Sequence, residues 1–181
     1  MAALAGSVAR RYAKAIFAIG VDKGLFELVG RQLGELAGLW TESPELRQTL
    51  ENPVFKLAQK REVLQALLPR IAPARPVQSL ALLLLERGRI ALLPAIARAY
   101  QEMSDEKLGR VRAEVRSAHP LDIASETAIR KAIERRTGKK VVMTTRLDPS
   151  LIGGVVAEVA GTVFDGSVIA RFDTLRNRLL N

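Results

Sequence analysis

The stretch RVRAEVRS, Arg110 to Ser117, alternates Val111, Ala113 and Val115 with Arg110, Arg112, Glu114 and Arg116. A two-residue period puts the small and branched side chains on one face and the charges on the other, the pattern of a half-buried strand. Before it the spacing is helical, with breaks at Gly24, Ser43-Pro44, Asn52-Pro53, Pro69 to Pro76 and Gly88. The spacing predicts helices over 7–23, 26–42, 44–51, 56–68, 75–88 and 91–109, with Ser43 capping a helix that has Pro44 in its first turn and Glu45 near the positive end of its dipole. After it, Asp122 to Arg136 reads as an amphipathic helix stopped by Gly138. Lys139 to Leu147 reads as a strand, Asp148-Pro149 as a turn, Ile152 to Val159 as a strand interrupted by Gly153-Gly154, and Ser167 to Leu180 as a closing helix. The expected fold is α+β: an N-terminal six-helix bundle over 1–105, then a small C-terminal α/β domain over 106–181.

Composition narrows the function. The 181 residues are 48% hydrophobic, enough for packed cores, and the longest apolar run, Leu80 to Leu85, is far below the roughly 20 residues of a membrane-spanning helix. With no cysteine, disulfides, thiolate metal sites and cysteine nucleophiles are excluded. Residues 1–20 are basic and free of acids, as in a transit peptide, but the polar positions Ser7, Arg10, Arg11 and Lys14 form one helical stripe, so the segment is read as part of the fold. The net charge of +9 is spread, with 14 basic and 10 acidic residues up to Asp105 and 14 and 9 after it. Aromatics make up only 4%, few for stacking on bases, so the charge suits an acidic partner or an anionic surface better than a nucleic acid.

The first helix carries more apolar surface than one core contact covers. Ser7, Arg10, Arg11, Lys14 and Asp22 take about a third of its circumference and leave an apolar arc of roughly 240°, where a surface helix needs little more than about 100°. The excess includes Val8, Tyr12, Ala15, Ile16 and Ile19. The fifth helix, with Leu80 to Leu85, is apolar on every side. Either both helices are interior, or they share a groove that receives a partner's amphipathic helix. Gly30, Gly34 and Gly38 recur every four residues on the second helix, a spacing expected to allow close helix packing, and Trp40 is expected in the core.

Catalytic constellations are missing. Around Gly138-Lys139 a phosphate loop would need glycine at Ile133 and Ser or Thr at Lys140. Gly153-Gly154 lacks dinucleotide-loop spacing, no Gly-x-Ser-x-Gly elbow occurs, and the single histidine, His119, has no second histidine for a zinc site. Glu114, Asp148 and Asp165 are isolated in sequence. No enzyme, cofactor or metal site is expected.

Four segments carry a resemblance: SVARRYAKAIF from Ser7, Asn52-Pro53-Val54-Phe55 with Lys60, Glu86-Arg87-Gly88-Arg89-Ile90 before Leu93-Pro94, and Asp165-Gly166-Ser167-Val168. Ala113-Glu114-Val115 with Ser117-Ala118 before Pro120-Leu121, and Asp148 to Gly154, add to it. In order and spacing these resemble the ATP synthase delta subunit family, which includes the mitochondrial oligomycin-sensitivity-conferring protein. The resemblance implies a non-catalytic stator subunit, monomeric when free, without nucleic acid, peripheral on the cytoplasmic face of a bacterial plasma membrane. It implies that the bundle receives the N-terminal helices of the alpha subunits and that the C-terminal domain meets the b-type stalk. Carried onto this sequence, the groove residues would be Val8, Tyr12, Ala15 and Ile16 on the first helix with Leu80, Leu83, Leu84 and Arg87 on the fifth. A helical RNA-binding regulator is the competing reading; it leaves residues 110–181 without a role.

Overall fold

A computed structural model describes residues 2–151, 153–159 and 161–165. The chain forms two compact units, Met1–Ser104 and Asp105–Asn181. The first holds α1 (Ala2–Asp22), α2 (Phe26–Glu42), α3 (Pro44–Glu51), α4 (Leu57–Ile71), α5 (Arg75–Glu86), a 3-10 turn (Ile90–Leu92) and most of α6 (Leu93–Lys107). The second holds β1 (Arg110–Ser117), α7 (Ile123–Thr137), β2 (Lys140–Leu147), β3 (Val155–Val159) and β4 (Thr162–Asp165). The α+β reading holds, with six helices ahead of a small mixed sheet.

Local chemistry sets several boundaries as expected. Ser43 Oγ accepts from the Leu46 N–H at 3.2 Å, and Pro44 opens α3. Asp122 caps α7 by accepting from the Ser125 N–H at 2.8 Å, and hydrogen bonds from the Ser125 side chain and backbone hold its carboxyl below the usual range. Gly138 ends α7 at a φ of +67°. Other elements differ from the expectation: α1 begins at Ala2 rather than at residue 7, and β3 begins at Val155, after Gly153-Gly154 rather than across them. α4 runs through Pro69 to Ile71, because a proline in the last turn forfeits only the bond to the Gln65 carbonyl, and Gln65 is exposed to water. β4, not anticipated, pairs antiparallel with β3 through a turn containing Gly161 at a φ of +80°. The expected closing helix over 167–180 lies outside the described residues.

The helical core is organised around α6. Tyr100 is fully buried, edge-on to Phe17 of α1 with ring centroids 5.3 Å apart, and its hydroxyl donates to the Phe26 carbonyl at 2.8 Å. Close approach depends on two glycines. A Cβ at Gly20 would stand 2.8 Å from the Tyr100 hydroxyl and 3.1 Å from Phe26 Cα, and one at Gly30 would stand 3.1 Å from the Tyr100 ring. The close packing expected of all three α2 glycines is therefore met by Gly30 alone: Gly34 and Gly38 face open space, since a four-residue step turns about 40° further round the helix each time. Trp40 is buried. Gln32, buried among apolar neighbours, donates to the Ala72 carbonyl at 3.2 Å and accepts from the Ala74 N–H at 2.9 Å, which ties the α4–α5 turn to α2.

In the second unit the strand order is β2-β1-β3-β4, with β1 and β2 parallel and the other pairs antiparallel. Parallel neighbours need a crossover, and α7 supplies it. Val111, Ala113 and Val115 of β1, Val141 of β2, and Ala157 and Val159 of β3 share a core with Ile133 of α7. The opposite face carries Arg112, Glu114, Arg116 and Arg146, of which Arg116 pairs with Asp148 at 3.3 Å and Arg146 with Glu114 at 3.4 Å.

Two predictions follow from Tyr100. Gly20→Ala should destabilise the helical unit by about 1–3 kcal/mol through overpacking, and Tyr100→Phe by about 1 kcal/mol through the lost hydrogen bond. The combined variant should cost less than their sum, because the hydroxyl that the new methyl meets is gone; urea unfolding followed by the fluorescence of Trp40, the single tryptophan, measures all three. Burial also pushes the Tyr100 hydroxyl from its ordinary 10.0 up to about 12. The folded state thus holds this proton more tightly than the unfolded chain, so the contribution is complete below pH 10.0 and lost as pH rises through about 12. Unfolding profiles across that window should be steeper for the native protein than for Tyr100→Phe.

Candidate partner-binding site

α1 presents two apolar seams at 4-3-4 spacing, displaced by one residue. Ala9, Ala13, Ile16 and Gly20 are buried and form the core-facing seam. Val8, Tyr12, Ala15 and Ile19 form the next seam round the helix, which is incompletely covered: Val8 is partly buried, Tyr12 is partly buried against the edge of the core, Ala15 is exposed and Ile19 is 44% exposed. A helix packed by one face has no folding reason for a second apolar stripe beside it.

α5 packs against α1, α2 and α4. Val77, Leu80, Ala81, Leu84 and Leu85 point into the core, whereas Leu83 is 38% exposed and Arg87 lies in solvent just past the helix end. The Arg89 guanidinium donates to the Tyr12 hydroxyl at 3.0 Å, bringing the outer seam of α1 to the segment that follows α5. Arg61 of α4 pairs with Glu86 on the other side of that helix end. Glu86-Arg87-Gly88-Arg89 turns sharply at Gly88, with a φ of +61°.

The eight groove residues expected from sequence therefore separate. Val8, Tyr12, Ala15, Leu83 and Arg87 keep accessible surface. Ile16 at 3%, Leu84 at 0% and Leu80 at 7% exposure serve the core and have little or nothing to offer a partner, because their positions on the helices face inward. Ile19 belongs with the outer seam and was absent from that set; its 4-3-4 spacing from Val8 is the signal that marks it. Val54, Phe55 and Leu57, in the Asn52-Pro53-Val54-Phe55 segment and just after it, are further exposed apolar side chains, with Val54 81% open. Among the described residues no group of three or more His, Cys, Asp or Glu could hold a metal ion.

The family model of the ATP synthase delta (OSCP) subunit matches residues 8–179. An ATP synthase subunit delta from Anaeromyxobacter dehalogenans is 39% identical over 176 residues, 97% of this chain and 98% of that protein. One from a Geobacter species is 40% identical over 162 residues, 90% of each chain. Among solved structures, a chain in the cryo-EM structure of the Toxoplasma gondii mitochondrial ATP synthase hexamer superposes with a TM-score of 0.73 at 26% identity, covering 96% of this chain and 97% of that one. Matched almost end to end in sequence and in fold, the chain belongs to the ATP synthase delta (OSCP) subunit family.

Proposed function

We propose that the protein is a non-catalytic stator subunit of a proton-translocating ATP synthase, holding the catalytic head against the peripheral stalk. Rotation of the central shaft applies torque to the head; untethered, the head would turn with the shaft and proton flow would no longer drive ATP synthesis. The observation that carries the reading is the second apolar seam of α1, Val8, Tyr12, Ala15 and Ile19, beside a core-facing seam that already satisfies the bundle. Such a stripe suits the apolar face of an amphipathic helix, and the partner we assign to it is the N-terminal helix of an alpha subunit. Leu83 and Arg87 extend the contact from α5, and the C-terminal domain, 106–181, is assigned to the b-type stalk. The complex would hold the protein on the cytoplasmic face of the plasma membrane; no helix among the described residues is long and apolar enough to cross a bilayer.

Core and contact residues are separable by experiment. Leu83→Glu and Ile19→Glu should keep a near-native melting temperature while binding to an alpha N-terminal peptide falls by roughly 10- to 100-fold, as a charge enters an apolar contact without a partner. Leu84→Glu should lose folding and binding together. Peptide binding unchanged in a folded Leu83→Glu, Ile19→Glu double variant would move the contact elsewhere. The free protein should run as a monomer in sedimentation velocity and show no saturable ATP turnover.

A further inference from the structure

The end of α7 and the starts of β1 and β2 bring together Arg110, Arg130, Arg135, Lys139 and Lys140 around an open groove of about 660 Å³. Among the described residues the one acid lining it is Glu134, and one of its oxygens accepts from the Val141 N–H at 3.2 Å. None of the five cations has a carboxylate partner within ion-pair distance among the described residues. Arg110 and Lys140 are direct register partners across the parallel strands, and like charges placed opposite each other weaken a sheet. The helix dipole accounts for Arg135 in the last turn of α7. It does not account for Arg110 and Lys140, which sit on strands, or for Lys139 beyond the turn. Folding alone therefore leaves this concentration of charge unexplained.

The shape selects among anions. β2 is an edge strand of the described sheet, and Val142, 36% exposed, lines the groove with Val141. Cations around an exposed valine beside a strand edge fit a polypeptide carrying both acidic and apolar side chains. Among the described residues no aromatic side chain lines the groove to stack a base. The chain's own last residues, 166–181, carry three arginines against one aspartate, so their charge does not match the groove.

We infer that this groove docks an acidic polypeptide segment and, resting on the stalk assignment above, that the segment belongs to the stalk subunit. The test titrates the full-length protein with the purified soluble part of the cognate stalk subunit and, separately, with a synthetic peptide rich in Glu and Leu. Arg130→Glu/Lys139→Glu should weaken both by about 10-fold or more, Arg130→Gln/Lys139→Gln by less, and added salt should weaken binding of the native protein. Alpha-peptide binding and melting temperature report that each variant is folded and should not change; all four substitutions are at exposed sites. If the native protein binds the stalk and the reversed variant binds it equally, the groove is refuted and the stalk assignment stands. If the native protein fails to bind the stalk but binds the acidic peptide in a charge-dependent way, the stalk assignment falls and the acidic-peptide site survives. Loss in the variant of binding to phosphatidylserine vesicles or to an RNA oligonucleotide, with both polypeptide arms unaffected, would overturn the inference.

Discussion

Tyr100 is the constraint from which the helical unit is built. Its ring occupies the space left by two missing side chains, at Gly20 and Gly30, and its hydroxyl bonds the first residue of α2. α1, α2 and α6 are thereby held at one mutual setting. A buried hydroxyl requires its partner, so this setting is directional in a way that leucine packing is not. Gln32 plays a similar part at the other end of α2, where both halves of its amide are used on the α4–α5 turn.

Once α1 is held through Ala9, Ala13, Ile16 and Gly20, the neighbouring seam lies at the margin of the core, with Val8 and Tyr12 partly buried and Ala15 and Ile19 exposed. The Arg89–Tyr12 hydrogen bond anchors this seam near the end of α5 without covering it. A tether that resists torque needs an apolar contact on a framework that does not deform. The packing that rotates one seam inward is the same packing that leaves Ala15 and Ile19 of the other accessible.

The second unit follows a different logic. Among the described residues its core is one helix over a four-stranded sheet, and small residues such as Ala113 and Ala157 let α7 lie close. The far sheet face is polar, with ion pairs among its exposed charges. At the edge beside Gly138 cations outnumber the acid Glu134. Apolar side chains mark the exposed surface of α1, and cations that of α7 and β2.

The order of elements was legible in the sequence because it rests on local physics. The periods of 3.6 and 2 residues, the Ser43 and Asp122 caps and the Gly138 stop act within a few residues of where they are read. β4 was not legible: Thr162 to Asp165 is too short to show a period, and it exists as a strand because β3 offers it a pairing edge. Sequence by itself also determined that α1 has more apolar surface than one contact can use, and that no catalytic spacing is present. It could not decide which apolar residues face inward. In the run from Leu80 to Leu85 every position is equally hydrophobic, so the pattern has no contrast from which to read a direction. The burial of Leu84 and the exposure of Leu83 are settled by where the neighbouring helices lie. The same holds for Arg110 and Lys140, distant in sequence and adjacent in space, whose shared groove exists only because α7 returns the chain to pair β2 in parallel with β1.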